Sequence, residues 1–286
     1  MGLLGIKKSS NRFAFTFVET LITIAIIGII AILTLPNFIK NYHKKVFSTQ
    51  FQKSYSQLQR VLNLALADNQ QPYIADSNLL LSINGYNIAS AEQQNDFVNT
   101  LSKYLRIRKV CHPYDVKNGC HDIVYTRLNG SSLIPGDENA VESIDDEDSN
   151  QILESPNRLE DLQIFTNDGT IFYFSANFSR LPYSLSPEEC NDLKKDGGRV
   201  CQFHLPMSGN ILIDINGGAS PNSFGRDLFA FVLDIKGQPI PVGSTALNGE
   251  SNNWKSDNEN TSCLIGNAIG RGCAGRIIED DWKMEY

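Results

Sequence analysis

The chain has 286 residues and a formal net charge of −7, from 32 acidic against 25 Lys and Arg residues. That length suits one or two domains, and the acidic balance argues against broad nonspecific nucleic-acid binding, which needs a basic surface. No GxSxG, HExxH or Walker A pattern occurs, and the four histidines (43, 112, 121 and 204) are scattered, so the sequence reads as a non-enzyme.

Residues 1–14 carry Lys7, Lys8 and Arg12 and no acid. Residues 13–39 follow as FAFTFVETLITIAIIGIIAILTLPNFI, with Glu19 its one charge and no side chain more polar than threonine from Leu21 to Leu35. The run is too long for a strand, and a helix of about 20 such residues covers the ~30 Å hydrocarbon core of a bilayer. A secretory signal is the first alternative, but LTLPNF stands where a small-x-small cleavage site belongs. A carboxylate near the start of the run is costly in lipid and calls for a cationic partner.

The stretch FAFTFVETLITIAIIGIIAILTLPNF resembles the cleavage and methylation segment of type IV prepilins and type II secretion pseudopilins. That family has a short basic leader, a small residue at the cut, then Phe, Thr, and Glu at the fifth mature position. The resemblance puts Ala14 before the cut, where the family usually has glycine, with Phe15 first, Thr16 second and Glu19 fifth. It implies removal of residues 1–14 by a prepilin peptidase, which also methylates Phe15. It further implies that Glu19 meets the N-terminal amine of a neighbouring subunit during assembly. Pro36 stands where the family commonly has proline, and it removes one helical hydrogen bond. The hydroxyls of Thr20, Thr23 and Thr34 are expected to bond back to the helix.

Phe47, Phe51, Tyr55, Leu58, Leu62 and Ala65 recur at spacings of 4, 4, 3, 4 and 3, widened by Val46, Val61 and Leu66. This predicts an amphipathic continuation of the helix over 39–71, ending before Pro72, which packs on a globular head or forms a coiled coil. Residues 95–111 read as a short helix with Phe97, Leu101, Tyr104 and Leu105 on one face, capped by Asn95 or Asp96. From 120 onward the pattern turns to strands. CHDIVYTRL alternates in part. LQIFTNDGTIFYF predicts a hairpin turning at Asn167, Asp168 and Gly169. GNILIDING predicts a strand into a glycine turn, and LFAFVLDIKGQPIPV two strands with an edge marked by prolines. GRIIEDDWKMEY reads as a final strand.

Six cysteines, Cys111, Cys120, Cys190, Cys201, Cys263 and Cys273, form three sequence-local pairs with spacings of 9, 11 and 10. Their even number after a membrane segment suggests an oxidising, exported setting, although six cysteines allow 15 connectivities. The expected pairing is 111–120, 190–201 and 263–273. His112 and His121 beside cysteines make a weak zinc set without any CxxC. The acidic block 137–148 reads as a solvated loop. Asp214, Asn216 and Asp227, among glycines, are candidate calcium ligands as well as candidate Asx turns. Both this stretch and CLIGNAIGRGCAGRIIEDDWKMEY resemble head segments of pilin-like proteins that carry the same leader.

The expected fold class is therefore α+β, pilin-like, with a long N-terminal helix packed on an antiparallel sheet. The expected organisation is a leader (1–14), a membrane and assembly helix (15–38), its amphipathic continuation (39–71) and an exported head (72–286). Expected partners are a prepilin peptidase/N-methyltransferase, other pilin or pseudopilin subunits and an inner-membrane assembly platform, with no strong nucleic-acid signal. No cofactor other than calcium is indicated. A type II secretion pseudopilin, or an anchored binding module or adhesin that does not polymerise, are the alternatives to a pilus subunit.

Overall fold

The computed structural model describes residues 16–70, 74, 77–81, 91–131, 133, 160–174, 179–180, 207–208, 211–234, 236–245, 254–257, 262–264, 266 and 269–286. Two compact units make up the chain, Met1–Lys44 and Lys45–Tyr286, and helix α1 (Phe17–Asn69) contributes to both.

In the first unit, α1 is apolar and none of the side chains from Phe17 to Ile39 is buried; Ile24, Ile27, Ile32 and Leu33 are all exposed. By length and composition this helix is able to cross a membrane. Pro36 sits inside the helix and supplies no N–H for the carbonyl four residues before it.

The second unit is α+β. It adds helices α2 (Asn78–Leu81) and α3 (Ala91–Leu101), then strands β1 (Ile107–Cys111), β2 (Leu162–Thr166), β3 (Ile171–Phe174), β4 (Ser179–Arg180), β5 (Met207–Ser208), β6 (Ile211–Asp214), β7 (Leu228–Leu233) and β8 (Pro239–Pro241), and ends with helix α4 (Cys273–Glu279). Six strands form one open antiparallel sheet in the order β1-β2-β3-β6-β7-β8, and β4 pairs with β5 in a separate ribbon.

Strand alternation divides the sheet's side chains between two cores. Leu162, Ile164, Phe172, Phe174, Ile211, Ile213, Phe229, Phe231 and Leu233 join the core that holds Phe51, Leu58, Val61, Leu62 and Ala65 of α1. Phe51 meets Phe229 edge-on at 4.5 Å and stacks near Phe231 at 6.0 Å. Ile171, Tyr173, Leu212, Leu228 and Ala230 face the opposite core, closed by Tyr125, Phe224 and the Cys111–Cys120 disulfide. With both faces covered, IFYF and LFAFVL read as continuous apolar runs rather than alternating ones.

Three local expectations are corrected. The helix read over 95–111 starts earlier, at Ala91, and ends at Leu101, after which Ile107–Cys111 is a strand. The terminal segment read as a strand holds helix α4 instead: Cys273, Ala274 and Ile277 are buried at helical spacing, and Gly275 lets the helix touch backbone, since a Cβ there would lie 2.3 Å from the Ser244 nitrogen. CHDIVYTRL forms no strand; its only ladder contact among the described residues is the isolated Thr126–Ser223 bridge.

Candidate functional site

Two groups of the residues singled out in the sequence gather around identifiable geometry. The first is the start of α1. Thr16 precedes the helix, and its backbone N–H and its hydroxyl both donate to Glu19 Oε2, each at 2.8 Å. In return the Glu19 N–H donates to Thr16 Oγ1 at 3.3 Å. This is a capping box, in which two helix-start donors are satisfied reciprocally. The carboxylate therefore has an intrachain partner set where the sequence reading asked only for an external cation. The signal was present as T-x-x-E ahead of an apolar run, and sequence reasoning missed it. Farther along, Thr20 Oγ1 donates to the Phe17 carbonyl (2.7 Å), Thr23 Oγ1 to Thr20 (2.9 Å) and Thr34 Oγ1 to Ile30 (2.8 Å), so these hydroxyls need nothing from their surroundings. Ala14 and Phe15, which flank the expected cut, lie outside the described residues.

The second group follows β6. Asp214 ends that strand fully buried, and its two oxygens accept from the backbone N–H groups of Asn216 (3.0 Å), Gly217 (2.8 Å) and Gly218 (3.1 Å) and from the Tyr125 hydroxyl (2.6 Å). Gly217 has φ +72°, and a Cβ there would lie 2.1 Å from the Gly169 carbonyl oxygen, so the turn admits glycine alone. Tyr125 spends its proton on Asp214, which leaves Tyr173 the donor in the 2.6 Å Tyr125–Tyr173 contact. Asp227, also buried, accepts from the N–H groups of Asn222 (2.7 Å) and Ser223 (2.6 Å), and Asn216 Nδ2 reaches it at 3.3 Å. Asn216 thus links the two acids.

Burial pushes Asp214 above the ordinary carboxylate range, against the hydrogen bonds from Tyr125 and the turn amides. Asp227 is pushed up to about 7 by burial, opposed by the Ser223 N–H and reinforced by the nearby Asp214. Burial, with Tyr173 and Asp214 beside it, holds the Tyr125 hydroxyl well above its usual value and keeps it a neutral donor. Calcium takes about six to eight oxygen ligands. To bind through Asp214 and Asp227 it would have to compete with these N–H and O–H donors, whereas Asn216 Oδ1 accepts no hydrogen bond among the described residues. What the arrangement does chemically is to pin the β6–β7 connection to the 120–130 segment through buried, hydrogen-bonded carboxylates, while Asn216 Oδ1 stays buried without a hydrogen bond among the described residues.

The structure joins Cys111 to Cys120 and Cys263 to Cys273, while Cys190 and Cys201 lie outside the described residues, as does the acidic block 137–148. His112 and His121 are engaged in hydrogen bonds: His112 with Gln94 at 2.6 Å, and His121 with Gln163 at 2.7 Å and the His112 carbonyl at 2.9 Å. The disulfide-bounded C-terminal segment carries a feature that sequence reasoning missed. The Arg276 guanidinium lies 4.6 Å from the Trp254 ring and 5.0 Å from the Tyr286 ring, and it donates to the carbonyls of Cys263 (3.0 Å) and Glu285 (3.2 Å). Trp254 Nε1 in turn donates to Glu279 (2.9 Å), and the Tyr286 hydroxyl to the Gly225 carbonyl.

Against models of known families, curated proteins and solved structures, the chain finds no match.

Proposed function

We propose that this chain is a structural subunit of a type IV pilin-like filament, held in the membrane by the first half of α1 until it is assembled. The observation that carries this reading is the start of α1. A Thr16–Glu19 capping box opens a long, unburied apolar helix two residues after Ala14. A prepilin peptidase that removes residues 1–14 would leave the amine of Phe15 directly beside this cap. Thr16 occupies only Oε2 of Glu19, and the other oxygen is free to accept the N-terminal amine of a neighbouring subunit. Opposite charges attract strongly inside a low-dielectric bundle of such helices. The head supplies no part of this chemistry; it is the cargo that the helix arranges along the filament.

The test is intact mass and N-terminal sequencing of membrane-associated protein from cells with and without the matching prepilin peptidase. A peptidase-dependent start at methylated Phe15 is expected, together with a Glu19→Ala chain that is cut but excluded from filaments. A chain that still begins at Met1, even as the Ala14→Gly form, overturns the reading.

A further inference from the structure

We propose that Lys40 and Lys44 form a collar that binds the phosphates of anionic lipid headgroups, at the bilayer face opposite Thr16 and Glu19. The inference rests on the membrane-spanning reading of α1 and adds a lipid ligand to it.

Glu19 and Lys40 are 21 residues apart on one helix, a rise of about 32 Å at ~1.5 Å per residue. The hydrocarbon core is about 30 Å thick. With Glu19 at one boundary, Lys40 falls at the other, and Lys44 lies about 6 Å farther, in the headgroup layer. Being four residues apart, the two lysines share a helix face.

Charge adds the second strand. No Asp or Glu occurs between residues 20 and 67, so α1 offers these lysines no acid of its own within reach. Neither forms an ion pair or a side-chain hydrogen bond among the described residues. Lys40 is exposed and Lys44 partly so. Between them Tyr42 is exposed and meets the His43 ring edge-on at 6.1 Å, and tyrosine is a residue type enriched at membrane interfaces. The whole chain carries −7, so an anionic surface repels it in general, and Lys40 and Lys44, with the exposed and likewise unpaired Lys45 beside them, make the contact favourable.

The test reconstitutes the full-length chain in phosphatidylcholine bilayers with a trace of spin-labelled phosphatidylglycerol or spin-labelled phosphatidylcholine. Electron paramagnetic resonance then separates freely moving label from label slowed by the protein. The expected result is a preference for phosphatidylglycerol of about fivefold for one lysine–headgroup contact, reduced by salt and lowered in Lys40→Gln/Lys44→Gln. Equal slowing of both labels by the unaltered chain overturns the proposal, as does an unchanged preference in the double variant. A preference lost instead in Lys7→Gln/Lys8→Gln/Arg12→Gln also overturns it, by assigning the lipid to the other end of the helix. No slowed component with either label shows that α1 is not in the bilayer, and then the membrane-spanning reading itself falls.

Discussion

Asp214 and Asp227 are two buried carboxylates bridged by Asn216, and both are pushed upward by burial, Asp227 to about 7. The folded head therefore holds protons that the unfolded chain has already released above the ordinary carboxylate value of 3.8. Stability from this pair is fully present below that value and is lost as pH rises through about 7. Asp168 works the other way. Burial raises it, but Thr166, Lys53 and the Thr170 N–H outweigh burial, so its contribution disappears as pH falls. Thermal unfolding of the head should give a lower Tm at pH 8 than at pH 5, and Asp227→Asn should flatten that difference. A Tm that rises over this range would remove the pair from the account. In the sequence, the oxygen side chains and glycines of 214–227 were legible as a set. Their partners were not, because Tyr125 comes from 89 residues away and only the fold brings it to Asp214.

Elements show the same division. The 4-4-3-4-3 stripe on α1 was readable because helical spacing is local, and Phe51, Leu58, Leu62 and Ala65 are buried in the core it predicted. Phe51 is its centre, in ring contact with Tyr55, Phe229, Phe231 and Trp282. Phe51→Ala should cost about 3–5 kcal/mol, while Leu64→Ala, at a position 37% exposed, should change stability little; denaturant titration of the head measures both. Strand β1 was missed because Arg106, Arg108 and Lys109 hide its apolar positions. Sheet position explains them: β1 is an edge, and its register slips between Ile107 and Lys109, which leaves Arg108 as the extra residue of a bulge. Helix α4 was misread because a short IIE run with flanking glycines carries no clear period until Cys273 anchors it.

For the molecule as a whole, the sheet buries two faces, and the segments that close them are tied by covalent links. Cys111–Cys120 sits in the core opposite α1, and Cys263–Cys273 in the core that α1 shares. The two joined pairs match sequence-local expectation because short loops keep their ends near. Replacing Cys263 and Cys273 by serine should cost about 2–4 kcal/mol, read as a fall in the denaturation midpoint against the unaltered head under oxidising conditions. The unaltered chain under reducing conditions should lose at least as much, since Cys111–Cys120 then opens too. The Arg276 clamp between Trp254 and Tyr286 engages Cys263 through its backbone carbonyl and not its sulfur, so it should hold α4 in the variant and near-ultraviolet circular dichroism from Trp254 should persist below the midpoint.

The two ends of the sheet have a consequence for crowding. One border is interrupted by the Arg108 bulge, and the other is β8, where Pro239 and Pro241 offer no N–H. A protein confined to a membrane is concentrated in two dimensions, which is the condition that favours runaway strand addition and amyloid. Among the described residues both borders are therefore poor templates for a further strand, which works against crowded copies joining through their sheets.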